Sequence, residues 1–281
     1  MKTLEESIAI AMDMQDTEIL SYLPYILQDF WEIGTPAEAV VKLVRKHCAF
    51  SQCAAPMPRL EAVKPIEPLQ SVSPLQKHNP HIQVLDLGCG KGAVSVKLAE
   101  SLNCNCLGID GISGFIKFAN EKAREYGVEN LCRFETGDIR EKIKTLGKFD
   151  VIVLGAVGQV FGDYYATLTT LKQHLAPDGI IIIDDAYIDD ASTFQHPAIL
   201  PHGTVLAQIE QAGMELIDEC SDIETAYDEE FANLQKRCNE LILKHPEKRA
   251  LFENYVQVQT DEYDVLENDV TASIMVLKKK K

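Results

Sequence analysis

Short apolar runs alternate with amphipathic helical stretches between residues 81 and 222, and this alternation is the strongest constraint on the fold. The runs Asp150–Leu154 and Gly179–Ile183 lack the polar alternation of a half-exposed strand. Strands of that kind are buried on both faces, as in parallel sheets covered by helices. Further runs lie at residues 82–87, 104–109, 131–135, 214–220 and 270–277. We therefore expect an α/β fold with a doubly wound, mostly parallel seven-stranded sheet.

Helical segments flank this core on both sides. Residues 1–53 carry apolar side chains at helical spacing and are interpreted as an N-terminal helical cap. Residues 54–80 contain repeated prolines, which block regular structure, so a linker is predicted there. The α/β core is assigned to residues 81–222, a helical insertion before the last strand to 223–268, and the last strand with a basic tail to 269–281. We expect the insertion and the cap to roof the active site.

The motif that carries most chemical information is a strand that ends in Asp86 and runs into a turn containing Gly88, Gly90 and Gly92. Glycines let a ligand approach a tight turn without interference from a Cβ atom. The helix that follows offers unpaired N–H groups, which favour a carboxylate or a phosphate. Dinucleotide-binding folds share such turns, so the motif is not specific by itself. Cys89 is interpreted as a small turn residue.

Two more acids stand at strand ends in the same half of the chain. Asp110 follows the second predicted strand, where a carboxylate can accept both hydroxyls of a ribose. Asp138 follows the third, where an adenine amino group would lie. Together with Asp86, they suit a ligand that has an amine, a ribose and an aminopurine. For Asp110 and Asp138, helix capping is the alternative role.

Over residues 82–185 the sequence resembles the class I S-adenosylmethionine-dependent methyltransferases. The resemblance implies a Rossmann-like methyltransferase fold and in-line methyl transfer, with S-adenosyl-L-methionine as cofactor and S-adenosyl-L-homocysteine as product. It places the ribose acid on Asp110 and the adenine acid on Asp138. The remaining residues that it implies for the cofactor site are Asp86, Gly88, Cys89, Gly90, Gly92, Gly111, Ile112, Ile139, Leu154 and Gly155. Lys91, inside the glycine turn, is expected to point to solvent.

The acceptor should lie beyond the carboxyl ends of the fourth and fifth strands. Asp185, Tyr187 and His202 are the candidate catalytic residues there, because a carboxylate, a phenol and an imidazole can each exchange a proton with an acceptor. Capping of the helix that starts near Gly203 is their alternative role. Other residues considered for the pocket are Gln159, Tyr164, Asp184, Trp31, Tyr22 and Tyr25; for the last three, core packing is the alternative.

Charge and composition narrow the class of acceptor. The net charge is 27 − 43 = −16, which disfavours a nucleic-acid substrate. The N-P-P-[YF] signature of many nucleobase and glutamine methyltransferases is absent, since Leu154 is followed by Gly-Ala-Val. We therefore expect a small-molecule acceptor, no nucleic-acid partner and no membrane partner, in a chain that works as a monomer or a homodimer.

The cysteines and the N-terminus bear on metal binding and location. No C-x-x-C pair occurs, so no metal site is predicted. The N-terminus carries early acids and no apolar signal core, so a cytoplasmic location is expected. Two alternatives stay open. One is an NAD(P)-dependent oxidoreductase on a related sheet, although its G-x-G-x-x-G spacing is not matched. The other is a protein that binds S-adenosylmethionine without catalysis.

Overall fold

A computed structural model describes residues 3–12, 14, 16–48, 82–221 and 227–281. All structural statements below concern these residues. The predicted linker at 54–80 lies outside them, and the division of the chain into cap, core and insertion stays a prediction.

Seven strands form one sheet in the order β3-β2-β1-β4-β5-β7-β6. Neighbouring strands are parallel except for β7, which runs antiparallel to both β5 and β6. The strands are β1 (Gln83–Leu87), β2 (Asn105–Asp110), β3 (Cys132–Thr136), β4 (Phe149–Gly155), β5 (Leu175–Tyr187), β6 (Met214–Cys220) and β7 (Thr271–Lys279). The sheet confirms the predicted fold class.

Strand β5 is much longer than the predicted run Gly179–Ile183. It begins early because Leu175 already pairs with Phe149 before a register shift. It continues past Ile183 because Asp184 to Tyr187 pair with Ile274 to Thr271 of β7. The extension carries polar side chains to the end of the strand while their backbone stays in the sheet. Two adjacent carboxyl groups, those of Asp184 and Asp185, are therefore fixed at the carboxyl edge of the sheet.

Helices cover both faces of the sheet. On one face lie α3 (Ala37–His47), α4 (Ala93–Leu102) and α5 (Ser113–Glu125), which share a buried cluster with strand residues such as Ile182. On the other lie α6 (Ile139–Lys142), α7 (Tyr164–Leu171) and α8 (His202–Gln211), in a cluster with Ile183. Ile180 to Ile183 are at most 4% exposed. Each such side chain contributes about 1.5–3 kcal/mol through burial, which explains the unbroken apolar run.

A third buried cluster joins the N-terminal helices to the helices that precede β7. The elements are α1 (Leu4–Ala11), a 3₁₀ helix (Thr17–Ser21), α2 (Leu23–Ile26), α9 (Tyr227–Lys244), a 3₁₀ turn (Pro246–Lys248) and α10 (Arg249–Asn268). Arg237 binds both carboxylate oxygens of Asp29, at 2.6 and 2.8 Å. Phe115 of α5 belongs to the same cluster, which places these helices against the part of the core that follows β2.

In the described parts of the chain, every helix is too short or too polar to cross a bilayer.

Candidate functional site

The glycine turn after β1 is the centre of the candidate site. Gly88, Gly90 and Gly92 all have positive φ angles, of 72°, 51° and 76°. A Cβ atom at Gly88 would lie 2.8 Å from a methyl group of Val157, and one at Gly92 would lie 2.7 Å from the Cβ of Ala119. These two glycines are therefore required by packing as well as by backbone conformation. Gly90 differs, because the nearest atom to its Cβ position is 4.0 Å away, which leaves room for a ligand.

Asp110, at the end of β2, holds the turn in place. One carboxylate oxygen accepts a hydrogen bond from the Gly90 amide at 2.9 Å, and the other accepts one from the Ile112 amide at 2.8 Å. Burial raises the pKa of this carboxyl to about 6, while the two amides oppose the rise. A carboxylate has about four lone-pair sites, so further hydrogen bonds can be accepted.

Asp86 lies inside the site at the end of β1. Its side chain is 3% exposed, and the Ser95 hydroxyl donates to it at 2.7 Å. Burial raises its pKa to about 6, Ser95 lowers it, and the charge of Asp110 adds to the rise. A buried acid, Asp86, and a half-buried one, Asp110, thus stand beside the same turn, where a cationic or hydroxyl-rich ligand would compensate for their desolvation.

A cavity of about 340 Å³ opens over the turn. Its lining contains the predicted residues Asp86, Gly88, Cys89, Gly90 and Gly155. The lining residues that the sequence analysis did not assign to the cofactor are Trp31, Ile33, Thr35, Lys91, Ala93, Val94 and Val153. Trp31, one of the pocket candidates from the sequence, lines this cavity. We call this space the glycine-turn cavity.

Lys91 contradicts the expectation that it points to solvent, since it is only 3% exposed. Its ammonium group donates to the backbone carbonyls of Leu27 and Phe30. Burial lowers its pKa to about 8, and Asp29 opposes that change. Leu27 and Phe30, whose carbonyls accept these hydrogen bonds, lie about sixty positions earlier in the chain. Nothing in the local sequence therefore signals this contact.

Cys89 is a buried turn residue, as interpreted from the sequence. Its Sγ would lie 2.9 Å from a Cβ built on Gly108, so it helps to fill the space against β2. Burial, together with the neighbouring charges of Asp86 and Asp110, raises the pKa of the thiol. The protonated form is favoured, which does not suit a nucleophile.

A second cavity, of about 320 Å³, adjoins the carboxyl ends of β4 and β5. We call it the β4–β5 cavity. The residues that line it are Leu154, Val157, Gly158, Gln159, Gly162, Tyr164, Thr167, Ile183, Asp184 and Asp185. Gly155 lines the first cavity while its chain neighbour Leu154 lines the second. The two cavities therefore lie on either side of the last residues of β4, since successive side chains of a strand point to opposite faces.

Four of the acceptor-side candidates line the β4–β5 cavity. The Tyr164 hydroxyl donates to Asp185 at 3.0 Å. Burial raises the pKa of Asp185. Burial is also the main cause that raises the pKa of Tyr164, followed by the neighbouring charge of Asp185. Burial also raises the pKa of Asp184 to about 6. Gln159 lies in the same lining but donates to the Ala198 carbonyl at 2.7 Å.

Thr35 lines the glycine-turn cavity next to the end of β4. It is 5% exposed, and its hydroxyl oxygen is buried with no hydrogen-bond partner of normal geometry. The hydroxyl nevertheless lies near enough to Asp184 to lower the pKa of that carboxyl partly. A Cβ built on Gly155 would lie 2.1 Å from this oxygen, so only glycine at 155 admits Thr35.

Two of the predicted catalytic residues lie elsewhere. Tyr187 and His202 stack on each other, with ring centroids 4.1 Å apart. The Nε2 atom of His202 is 4.0 Å from a carboxylate oxygen of Glu219. Neither ring lines the two cavities described above. Tyr22 and Tyr25 also face away from them, since their hydroxyls bond to Lys248 and Glu240 of the insertion helices.

The residues predicted to hold adenine sit at the ends of β2 and β3. Asp138 is the N-cap of α6, and both of its carboxylate oxygens bind Arg140. Ile139 is 7% exposed in the core. A Cβ on Gly111 would lie 2.5 Å from the Ile8 side chain of α1, and Ile112 packs against the third cluster. Helix α1 therefore covers this end of the site.

No group of His, Cys, Asp and Glu side chains within the described residues could hold a metal ion.

Comparison with known proteins adds an independent finding. The family described as "Methyltransferase domain" matches residues 78–245, more than half of the chain. Trans-aconitate 2-methyltransferase of Deinococcus radiodurans is 34% identical over 117 residues, which cover 41% of this chain and 42% of that protein. The aligned part is thus less than half of that relative's length.

Two solved structures superpose on most of this chain. YjhP of E. coli superposes with a TM-score of 0.68 at 16% identity, covering 93% of this chain and 100% of that one. A methyltransferase of Geobacter sulfurreducens in complex with S-adenosyl-L-homocysteine superposes with a TM-score of 0.63 at 20% identity, covering 72% and 86%. At these identities the likeness shows the fold.

Proposed function

The chain belongs to the methyltransferase domain family, and from this premise we propose that it transfers a methyl group from S-adenosyl-L-methionine to a small-molecule acceptor. The observation that carries the proposal is the pairing of Asp110 with the Gly90 amide beside buried Asp86. Asp86 and the Cβ-free turn line one cavity, and Asp110 holds that turn from behind through the Gly90 amide.

The glycine-turn cavity fits such a cofactor in three respects. The open space at Gly90 admits the part of a ligand that approaches the backbone. Asp110 retains lone pairs that would accept the ribose hydroxyls. Asp86 would attract the ammonium group, directly or through water. When bound, S-adenosylmethionine supplies a methyl group on a positively charged sulfur, which departs as a neutral thioether.

The chain's own task is alignment and exclusion of water. No new ion has to be stabilised when a sulfonium charge is neutralised, so positioning supplies most of the rate enhancement. Trp31, Ile33 and Thr35 close the cavity opposite the glycine turn. Helices α1, α2, α9 and α10 pack together beside them. We propose that these helices form the roof over the site.

We propose the β4–β5 cavity as the acceptor site. Leu154 of its lining is the chain neighbour of Gly155 in the glycine-turn cavity, so an acceptor there would have to reach the methyl donor past the carboxyl end of β4. Asp185 and Asp184 are the groups that could take a proton from an acceptor, and Tyr164 orients Asp185. Of the predicted trio, Asp185 keeps this assignment, whereas Tyr187 and His202 would act, if at all, from outside the cavity.

The charge of the β4–β5 cavity favours a neutral or cationic acceptor. Among the residues that the structure describes, its lining holds two carboxyl groups and no lysine or arginine. An acceptor carboxylate would need a cationic partner there to offset its desolvation. An amine is the class that these acids suit best, because the acids would attract its ammonium form and then receive its proton.

Labelled methyl transfer tests the proposal. The chain is incubated with S-adenosylmethionine labelled on the methyl group and with two sets of small metabolites, amines and carboxylic acids. We expect label in one or more amines and none in the acids. Label confined to carboxylic acids would contradict the acceptor class, and label in RNA or protein alone would contradict the small-molecule proposal.

The two alternatives predict different results in a thermal-shift measurement. A ligand that binds only the native state raises the melting temperature. We expect a rise with S-adenosylhomocysteine and none with NADH; the reverse would favour an oxidoreductase. A rise with S-adenosylhomocysteine but no transfer to any metabolite would favour a binding protein without catalysis.

A further inference from the structure

The segment of residues 27–35, here called the N-terminal strap, spans the glycine-turn cavity on the side away from the sheet. Its residues Trp31, Ile33 and Thr35 form one wall, and Gly88 and Gly90 lie in the lining with them. The strap comes directly after α2, so its position depends on how the N-terminal helices dock on the core.

Lys91 secures the first end of the strap. Its ammonium group donates to the carbonyls of Leu27 and Phe30, and in return the Trp31 indole N–H donates to the Lys91 carbonyl at 3.2 Å. The ammonium also lies 4.8 Å from the centroid of the Phe118 ring. Lysine is rarely buried to this extent, and the hydrogen bonds with Leu27, Phe30 and Trp31 require the strap to be docked.

Close backbone contacts secure the second end. Thr35 packs against Gly155, where a Cβ atom would lie 2.1 Å from its hydroxyl oxygen. A Cβ atom on Gly34 would lie 2.5 Å from the Cβ of Ala156. The strap is therefore fixed at the glycine turn and at the end of β4, with the cavity between these two points.

We propose that Lys91 is a positioning residue, which docks the N-terminal strap over the glycine turn and thereby shapes the wall of the donor site. This inference rests on the proposed function for the identity of the donor, but the docking itself does not. Lys91 acts here through the strap, because two of its three N–H donors are already used by strap carbonyls.

The test compares Lys91→Met with Lys117→Met in the full chain. Methionine keeps the length and apolar body of the side chain and removes the ammonium group. Lys117 is an exposed residue of α5, so its variant controls for a loss of charge on the surface. Chymotryptic cleavage at Phe30 and Trp31, followed by mass spectrometry, reports docking of the strap. Calorimetry with S-adenosylhomocysteine reports the cavity.

In Lys91→Met we expect cleavage at these residues to be at least about tenfold faster, and the affinity for S-adenosylhomocysteine about tenfold lower, because two charge-assisted hydrogen bonds are lost. Lys117→Met should match the wild type in both. Unchanged cleavage would overturn the docking role, and faster cleavage with unchanged affinity would overturn the link to the donor site.

Two further outcomes are distinguishable. If Lys91→Met does not fold, Trp31→Phe takes its place, since it removes the N–H that reaches the Lys91 carbonyl and keeps an aromatic side chain; unchanged cleavage in Trp31→Phe would then overturn the inference. A wild-type chain that binds no S-adenosylhomocysteine would overturn the proposed function, and the cleavage rates alone would then decide the role of Lys91.

Discussion

The Asp110 carboxylate accepts a hydrogen bond from the Gly90 amide at 2.9 Å, so the end of β2 holds the tip of the turn that follows β1. The same carboxylate binds the Ile112 amide through its other oxygen. One side chain therefore fixes both of the loops that a nucleoside would contact.

Replacing Asp110 by asparagine should weaken binding of S-adenosylhomocysteine by about ten- to a hundredfold. An amide has one acceptor oxygen where the carboxylate has two, and a hydrogen bond to a charged group contributes about 1.5–3 kcal/mol. Calorimetry measures the change. Asp178→Asn, at an exposed position, is the control. Equal affinity in the wild type and Asp110→Asn would exclude Asp110 from the site.

A methyl group at Gly90 should impair binding beyond its effect on stability. Gly90 and Gly127 both have positive φ angles, of 51° and 68°, and both have space for a Cβ atom. Alanine should therefore cost about 1 kcal/mol of unfolding free energy at each position. Of these two glycines, Gly90 lines the glycine-turn cavity and Gly127 does not, so Gly90→Ala should weaken binding and Gly127→Ala should not. Denaturant unfolding and calorimetry give the two quantities, and similar affinities in both variants would argue against a ligand at Gly90.

Binding should weaken as the pH falls below about 6. Burial raises the pKa of Asp86 and of Asp110 to about 6, and the ionised forms are the ones that attract an ammonium group and accept hydroxyl donors. Titrations with S-adenosylhomocysteine between pH 5 and 8 should show the loss on the acid side. An affinity that stays constant across this range would contradict the role of these two carboxylates.

Asp86 and Asp110 stabilise the ligand-free chain at low pH, where binding of the ligand is weakened. Their native pKa values exceed the usual value of 3.8, so the native state holds protons more tightly than the unfolded state. Their contribution to the free energy of unfolding is therefore fully present below pH 3.8 and is lost as the pH rises through about 6. Asp86→Asn should flatten this part of the wild-type pH profile in denaturant unfolding; an unaltered profile would contradict the raised pKa.

Asp185 and His202 should differ in their effects on catalysis. Asp185 lines the β4–β5 cavity, whereas His202 stacks on Tyr187 outside it. With an acceptor found by labelled transfer, Asp185→Asn should lower kcat at least about tenfold, the lower end for loss of a general base, and leave the affinity for S-adenosylhomocysteine unchanged. His202→Ala should leave kcat within a few-fold of the wild type. The reverse ranking would move the acceptor site towards His202.

The sequence predicts the sheet and the glycine turn because their signals are local. The isoleucines at 180–183 mark a strand buried on both faces, and Asp86, Gly88 and Gly90 follow from the way a strand turns into a helix. The extension of β5 to Tyr187 could not be predicted, because it depends on pairing with Thr271 to Ser273, far along the chain.

The wall opposite the turn could not be predicted for the same reason. Lys91 and Thr35 have no local signal, since their burial depends on contacts with Leu27 and Gly155, which are remote in sequence. Asp138 shows a different limit. A strand-end acid serves equally as a ligand and as an N-cap, and here it caps α6 and binds Arg140. Its adenine role stays a prediction.

Isothermal titration of the wild-type chain with S-adenosylhomocysteine is the most direct test of the central claim, that the glycine-turn cavity at Asp86 and Gly90, with Asp110 behind the turn, holds this nucleoside. The account predicts saturable heat with one site per chain, and an affinity about ten- to a hundredfold lower in Asp110→Asn. A folded chain that gives no heat of binding at millimolar ligand, or that binds equally well without the Asp110 carboxylate, would contradict it.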